Sequence, residues 1–379
     1  MAVLKIDRNN TLDALRLISA VFVILHHSYP LTGHCSRFSI LGGIGVSIFF
    51  IISGYLIIQS WCSDPTPLKF FWKRLLRIVP GLAVVAIFTI FVIGPINTNL
   101  PLREYYFNIN TWMYSTIILI FVPTRPLPGV FTSNPFPIAI NSSLWTIPLE
   151  FRMYIILCIM GAIGMLKDRR VLLSIVILSF VIYLNNLLSS VWALNILTKI
   201  PGCIGITGYL WYLIGNGIPS DYPSYNLLFL IGMLFFLYKD QIKFNNWIAL
   251  GAFIGLLATI VSAESYFLIA LLICLPYLVL YLGQLPMKQL YNIGDKYGDY
   301  SYGLYIYAFP IQQTIAHFMS KISPIQLFAL SLPSTFILAY FSWWLIEKKA
   351  LSLKKINPLK ILLIHSHTFK ALYQKFCKI

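Results

Sequence analysis

Four ionisable side chains lie on one apolar segment near the N-terminus, LDALRLISAVFVILHHSYP, residues 12–30. Asp13 and Arg16 are at its start, and His26 and His27 are near its end. A helix places Arg16 and His27, which are eleven residues apart, on nearly the same face and about 16 Å apart along its axis. An imidazole on such a stripe is suited to act as a general base. His26 is rotated by about 100° from the stripe, and Asp13 is expected to pair with Arg16.

A carboxylate is predicted at a comparable depth in another apolar segment. Glu150 lies about six residues into the run that begins SLWTIPLEFRMY, residues 143–154. A carboxylate beside an imidazole raises its basicity and fixes its tautomer, so we expect Glu150 to orient His27. A plainer interpretation stays open, in which Arg16 snorkels, Asp13 neutralises it and the histidines lie among the lipid headgroups.

Three cations precede the third apolar run. In FFWKRLLRIVP, residues 70–80, Lys73 and Arg74 are adjacent and Arg77 follows one helical turn later. Two arginines at the mouth of a helix can bind phosphate groups, which suits a phosphate-bearing ligand that arrives from the cytoplasm. The same residues also fit the excess of cations on the cytoplasmic side of membrane spans. Spacing leaves both interpretations open.

The composition is that of an integral membrane protein. Of the 379 residues, 58% are hydrophobic and 11% are charged, and the mean hydropathy is +0.78. Soluble domains are about one quarter charged. The net charge of +16 does not indicate a nucleic-acid partner, because most basic residues lie in short loops between apolar runs rather than on one face.

Ten apolar runs approach the length of about 20 residues that spans a bilayer. They predict an all-α, polytopic membrane protein with spans at 12–29, 41–61, 79–96, 144–166, 171–190, 225–238, 247–262, 266–283, 301–320 and 325–346. Segments on the side of the termini hold 21 Lys and Arg residues and the opposite loops hold 5, so both termini are predicted to be cytoplasmic. Two shorter pieces, 112–122 and 204–214, are predicted to be interfacial or re-entrant.

The second apolar run is rich in small residues. Gly42, Gly43 and Gly45 begin it, and Ser53 and Gly54 interrupt its middle. Small residues let helices approach closely, so packing is the first interpretation of each glycine. The six cysteines form no CxxC pair and are interpreted as packing residues, with neither a disulfide nor a metal implied.

Six segments together resemble the acyltransferase-3 family of membrane acyltransferases. In chain order they are LDALRLISAVFVILHH, GVSIFFIISGYLI, KRLLRIVP, SLWTIPLEFRMY, YGDYSYGLYIYAFP and WWLIEKKALSLK, between residues 11 and 355. The first carries the family's spacing of an arginine, ten residues and a histidine, at Arg16 and His27. The chain departs from many members at Ala308, where they have a second histidine, so no second histidine is assigned there.

The resemblance implies a membrane domain over residues 1–350 and a basic cytoplasmic tail over 351–379, which can lie on anionic membrane lipid. It implies ten spans and acyl transfer from a cytoplasmic thioester, usually acetyl-CoA, with no metal. The implied acceptor is a hydroxyl of a bacterial surface polysaccharide or lipid-linked glycan, such as lipopolysaccharide O-antigen or exopolysaccharide. The implied location is the bacterial inner membrane.

The resemblance also gives the candidate residues their roles. His27 would deprotonate the acceptor hydroxyl or briefly carry the acyl group, with Glu150 and His26 as the further catalytic candidates. The donor phosphates would be held by Lys73, Arg74 and Arg77, with Arg16 lining the path upward and the glycines of the second run leaving room for the pantetheine arm. The candidates for substrate contact are Trp145, Tyr302 and Tyr305.

Two other functions stay open. A proton-coupled transporter or flippase of a glycan precursor also places ionisable residues inside spans, although such folds often show a repeat between halves that is not visible here. A glycan polymerase is weakened by the lack of a large, arginine-rich outer loop. Acyl transfer is the function that the sequence favours.

Overall fold

A computed structural model describes residues 11–35, 39–120, 125–192, 224–262, 264–285, 287–291 and 293–356. In this part the chain is helical, with one isolated antiparallel bridge between Thr98 and Val130 and no strand. The all-α prediction is therefore confirmed for these residues. Several predictions lie outside them, namely those on segment 204–214, the tail beyond residue 356, Lys5, Arg8, Arg37, Lys199, Cys203 and Cys377.

The described residues contain ten helices of at least 13 residues, at the positions of the ten predicted runs. They are α1 (Leu12–Ser28), α2 (Ser39–Ser63), α3 (Pro67–Phe88), α4 (Thr146–Ala162), α5 (Arg169–Trp192), α6 (Tyr225–Leu237), α7 (Asn246–Ile260), α8 (Glu264–Gln284), α9 (Ser301–Phe318) and α10 (Pro324–Ser342).

Six helical stretches among the described residues are long and apolar enough to cross a membrane. They are Leu12–Thr32, Ile40–Ser63, Pro67–Asn97, Ser142–Ala162, Ser265–Gln284 and Pro324–Lys355. The helices α6 and α7 are apolar but shorter. The structure thus supports a multi-pass membrane protein, and the count of ten spans stays a prediction.

The third helix begins earlier than its apolar run. Proline is favoured in the first helical turn, and Pro67 starts α3 there, immediately after Thr66. The helix continues past Phe88 through a π-helical turn to Asn97. Lys73, Arg74 and Arg77 therefore lie inside α3, and the prediction of a loop over 62–78 is wrong for the helical residues from Pro67 onward.

Glycines bring the backbones of α2 and α6 into close contact. A Cβ atom at Gly54 would lie 2.0 Å from the carbonyl oxygen of Phe229, and one at Gly232 would lie 2.3 Å from that of Ile51. Each helix thus uses a glycine to admit the backbone of the other. The packing interpretation of Gly54 is confirmed.

The loop before α4 packs against α9. The side-chain amide of Asn141 donates a hydrogen bond to the Ile306 carbonyl at 2.8 Å, and the Ser143 hydroxyl donates to the Tyr305 carbonyl at 3.3 Å. Nearer the end of α9, the amide of Asn134 donates to the side-chain oxygen of Gln313 at 2.7 Å. These buried amides anchor the loop, so α4 begins level with the first half of α9.

Candidate active site

His27 lines a cavity of about 1130 Å³ formed by residues of α1, α2, α6, α8, α9, the end of α7 and the segment before α4. Pockets for one small molecule are about 300–1,000 Å³, so this cavity has room for an acceptor beside an acyl group. Much of its wall is apolar. The predicted site residues that line it are His26, His27, Trp145 and Tyr305.

The His27 ring is held by aromatic contacts. Its centroid lies 5.1 Å from that of His26 and 5.1 Å from that of Phe309, which meets it edge-on. Neither ring nitrogen of His27 has a hydrogen-bond partner among the described residues, so the imidazole is available to a bound hydroxyl. Phe309 is the ninth of the 18 residues of α9, which places His27 level with the middle of that helix.

The glycines at the start of α2 have two different environments. A Cβ at Gly42 would lie 2.5 Å from the His26 ring, and one at Gly45 would lie 2.7 Å from the Ser19 carbonyl oxygen, so both admit α1. Gly43 lines the cavity and has no atom within 4 Å of its Cβ position. Gly43 therefore leaves space beside the histidines, whereas its neighbours serve packing.

Two arginines from different helices share one carboxylate. Asp299, in the segment before α9, accepts from Arg16 of α1 at 2.9 Å and from Arg77 of α3 at 2.6 Å. The three side chains, here called the arginine cluster, are each 15–21% exposed. The predicted pair of Arg16 with Asp13 is wrong, because Arg16 turns to Asp299 and Asp13 packs against Gly294.

The electrostatics of the arginine cluster favour an ionised Asp299. Burial by itself raises the pKa of this carboxyl, but the guanidinium groups of Arg16 and Arg77 and hydrogen bonds from Ser301 hold it well below its usual range. The acidic side chains of Asp13 and Glu347 also interact electrostatically with Arg77, so the two guanidinium groups have more than one acidic neighbour. The Arg77 guanidinium also lies 5.5 Å from the ring centroid of Tyr302.

Arg74 and Lys73 are nearby on α3 but have other partners. Arg74 donates to the Ser60 hydroxyl at 3.0 Å, and its guanidinium lies 6.0 Å from the ring centroid of Tyr154. Lys73 makes a long ion pair of 3.7 Å with Asp64 and is partly exposed. The structure thus brings Lys73, Arg74 and Arg77 to one end of the bundle without forming a joint fork of free guanidinium groups.

Glu150 lies in a second polar cluster, which joins α2 and α4. Its Oε1 atom accepts hydrogen bonds from Ser53 and from Tyr154, both at 2.5 Å. Ser53, Glu150 and Tyr154 are here called the glutamate cluster. Because the Tyr154 ring lies beneath the Arg74 guanidinium, this cluster connects to the basic residues of α3 rather than to the histidines.

Contacts along α9 and α4 place Glu150 at a different level from His27. His27 contacts Phe309, and one turn away on α9 the hydroxyl of Tyr305 bonds that of Thr146 at 2.7 Å. Glu150 follows Thr146 by a further turn of α4. Two turns amount to an offset of about 12 Å along the helix axes. Glu150 bonds Ser53 and Tyr154 and makes no hydrogen bond with His27 among the described residues, so the prediction that Glu150 lies beside His27 is wrong.

The three aromatic candidates fall into two places. Trp145 and Tyr305 line the His27 cavity, and the Tyr305 hydroxyl donates to the Ser143 carbonyl at 2.6 Å. Tyr302 instead lies beside Arg77, with its hydroxyl donating to the Ile78 carbonyl at 2.8 Å. Trp145 and Tyr305 are therefore placed to contact a ligand near His27, whereas Tyr302 is part of the wall around the arginines.

The residues that bind the charged site candidates Arg16, Arg77 and Glu150 were not identified from the sequence. Asp299 lies in YGDYSYGLYIYAFP, Ser53 in GVSIFFIISGYLI and Tyr154 in SLWTIPLEFRMY. All three belong to segments that carry the family resemblance, and that shared membership was the available signal. In the described residues no group of three or more His, Cys, Asp or Glu side chains is placed to hold a metal ion.

Comparison with known proteins decides the family. A family model described as "Acyltransferase domain" matches residues 9–345, which include the His27 cavity and both polar clusters. The chain belongs to the acyltransferase-3 family. The resemblance noted from the six segments is thereby confirmed, and this acyltransferase-3 protein is an acyltransferase enzyme.

Individual relatives are similar over nearly the whole chain. The O-acetyl transferase of Shigella phage Sf6 is 31% identical over 362 residues, which cover 91% of this chain and 97% of that protein. Nodulation protein 10 of Rhizobium leguminosarum bv. viciae is 27% identical, with coverages of 91% and 94%. O-acetyltransferase OatA of Staphylococcus aureus is 26% identical over 89% of this chain, which spans 56% of OatA. No solved structure matches the chain.

Proposed function

We propose that this acyltransferase transfers an acetyl group from acetyl-CoA to a hydroxyl of a bacterial surface polysaccharide or lipid-linked glycan. The observation that carries the proposal is the His27 imidazole, which has no hydrogen-bond partner among the described residues and lines a cavity large enough for two reactants. The names of the relatives, O-acetyl transferase and O-acetyltransferase OatA, support transfer of acetyl to oxygen.

His27 supplies the base for the reaction. It takes the proton of the acceptor hydroxyl, the oxygen attacks the thioester carbonyl, and the bond from that carbon to sulfur breaks. The proton on the imidazole then passes to the departing CoA thiolate, so the ester and CoA leave a neutral histidine. A covalent acyl-histidine is the alternative route through the same residue. His26 lines the same cavity beside His27 and is the further catalytic candidate.

The basic residues of α1 and α3 receive the donor. Arg74 and Lys73 of α3, with Arg16 and Arg77 beside them, attract the phosphates of CoA. We place this end of the bundle at the cytoplasmic face, with ten spans, both termini in the cytoplasm and the protein in the bacterial inner membrane. The excess of Lys and Arg in the loops on that side supports this orientation.

The test is the acetylation of surface glycan in cells that carry the full chain. Mass spectrometry should show acetylated glycan with the wild type and a loss of at least about 100-fold with His27→Ala, the size expected for a missing general base. His26→Ala should retain part of the activity, because His26 lines the cavity but is not the assigned base. Wild-type acetylation by His27→Ala at equal membrane abundance would refute the proposed chemistry.

Sealed inside-out vesicles test the orientation separately. CoA supplied outside these vesicles should be used, while an impermeant glycan acceptor must be trapped within them. Efficient transfer to an acceptor supplied only on the side of the CoA would refute the route through the membrane and leave the acyltransferase chemistry intact.

A further inference from the structure

We propose that Gln312 is a positioning residue, which holds the last turn of α1 against α9 so that the His27 imidazole points into the cavity. The proposal rests on the proposed function, because Gln312 acts through His27 as the base. The side chain of Gln312 is fully buried and lies outside the cavity wall. Gln312 therefore sets the orientation of the base and does not touch a substrate.

His27 needs support from outside its own helix, because it is the last residue but one of α1. The carbonyl groups in the last turn of a helix have no partners within that helix, so helix ends are weakly constrained. The Thr32 hydroxyl donates to the Ser28 carbonyl at 2.8 Å and to the Tyr29 carbonyl at 3.0 Å. These bonds close the chain after α1 but do not join it to another helix.

The side-chain amide of Gln312 joins this turn to α9. Its Nε2 atom donates hydrogen bonds to the Ile24 carbonyl and to the Ser28 hydroxyl, both at 2.8 Å. The Ser28 hydroxyl donates to the same Ile24 carbonyl at 3.0 Å. Because a carbonyl oxygen only accepts, the group that faces Ile24 is the NH₂ end of the amide. Three buried groups thus form a closed set of hydrogen bonds across the turn that carries His27.

This set of bonds fixes the rotation of α1 about its axis. Ile24 and Ser28 are one turn apart on one face of α1, and both are bound by the same amide. Phe309, one turn before Gln312 on α9, meets the His27 ring edge-on at 5.1 Å between centroids. A rotation of about 10° would move a side chain roughly 6 Å from the axis by about 1 Å. A misplacement of that size costs about 100-fold in rate.

The other end of the amide favours positioning over stability as the role of Gln312. Its Oε1 atom is buried and has no hydrogen-bond partner among the described residues. A buried acceptor without a partner lowers stability, so an apolar side chain would pack there at less cost. Without Gln312, Ile24 and Ser28 would keep the bond between them. The amide therefore adds a fixed direction to α1 rather than a partner that α1 lacks.

The test is a double-mutant cycle between Gln312 and His27, measured as steady-state acetyl transfer by membranes that contain the full chain. Gln312→Leu keeps a similar size and removes both donors. With His27 present it should lower kcat by about 10- to 100-fold and leave KM for acetyl-CoA within about 2-fold, because the cations of α3 are unchanged. In the His27→Ala background it should lower the residual rate by less than about 3-fold, because residues that act as a unit are not additive.

Two further variants separate positioning from folding. Gln313→Leu changes the equally buried neighbour, whose amide donates to the Phe136 and Ala139 carbonyls, and it should lower the melting temperature. Gln312→Leu should leave the melting temperature unchanged, because Ile24 and Ser28 keep their mutual bond. Ser28→Ala removes the middle hydroxyl and leaves the bond from Gln312 to Ile24, so it should lower kcat by about 3- to 10-fold at unchanged KM.

The two proposals fail in different ways. Equal losses from Gln312→Leu with and without His27 would overturn the positioning role and leave the proposed function standing. Wild-type kcat in both Gln312→Leu and Ser28→Ala would overturn it as well. Wild-type transfer by His27→Ala would instead refute the proposed function, and the positioning role with it.

Discussion

Removing the Asp299 carboxylate should destabilise the whole bundle, because two arginines depend on it. Asp299→Ala leaves the Arg16 and Arg77 guanidinium groups facing each other without the partner that binds them at 2.9 and 2.6 Å. Removing one partner of a buried ion pair costs about 3–5 kcal/mol in the free energy of unfolding. The side chains are at most 21% exposed, so solvent screens little of this effect. For a chain of this length, the melting temperature should fall by roughly 4–6 °C.

The assay is thermal unfolding of the detergent-solubilised protein, followed by the loss of monodisperse protein on size exclusion. The matched control is the neutral triple variant Arg16→Met, Arg77→Met and Asp299→Leu. It removes every charge of the arginine cluster and should recover part of the lost stability, because no guanidinium group is left unpaired. The recovery is partial, since Asp13 and Glu347 lose their electrostatic interaction with Arg77. The triple variant should still be inactive if these arginines attract the donor. Wild-type stability of Asp299→Ala would refute the reasoning.

Three further predictions concern packing, donor binding and pH. Gly54→Ala should lower the melting temperature, because the added Cβ would lie 2.0 Å from a backbone oxygen. Gly43→Ala should leave the melting temperature unchanged, because no atom lies within 4 Å of its Cβ position. Equal losses in the two variants would contradict the packing described for α2. Arg74→Ala should raise KM for acetyl-CoA more than it lowers kcat, because phosphate binding acts in the ground state. The assay is steady-state kinetics, and an unchanged KM would show that Arg74 is purely structural. The pKa of Asp299 is lowered, so its contribution to stability is fully present above its ordinary pKa and is lost as the pH falls through the lowered value. Asp299→Asn should therefore lower the melting temperature equally at pH 5 and pH 7, and a much smaller loss at pH 5 would contradict the low pKa.

Apolar runs predicted where the helices lie, but they did not predict where α3 begins. The run starts after Arg77, whereas the helix starts at Pro67. The apolar run ends at the first cluster of charged residues, whereas the helical hydrogen bonds of the backbone continue through that cluster. Long basic side chains are compatible with helical structure, so Lys73 and Arg74 interrupt the apolar pattern without ending the helix.

The relative depth of Glu150 and His27 depended on tertiary structure. Counting from the start of each apolar run assumes that both helices begin at the same membrane surface. The segment before α4 is instead drawn into the bundle by Asn141 and Ser143, which bond backbone carbonyls in the first half of α9. Nothing in the local pattern of SLWTIPLEFRMY indicates that displacement, because it arises from contacts with residues about 160 positions later.

Local sequence spacing also could not identify the partner of Arg16. Asp13 is three residues away and is the nearest acid in sequence, whereas Asp299 is 283 residues away. Spacing on one helix predicts pairs within that helix, but a carboxylate in the segment before α9 can satisfy two helices at once. When the partner of a buried cation is sought, an acidic residue in another segment that carries the family resemblance is a better candidate than the acid nearest in sequence.

The position of Asp299 in the chain sets an order of assembly. Its two arginines precede it by 283 and 222 residues, so α1 and α3 are synthesised long before their shared counter-charge. At about 5–20 residues per second, the ribosome reaches Asp299 roughly 10–45 s after Arg77. Throughout that interval the two guanidinium groups repel each other, which disfavours a close approach of α1 and α3. Closure of the arginine cluster is therefore a late step in biogenesis, and nascent chains that stop before residue 299 should be preferred targets of membrane quality control.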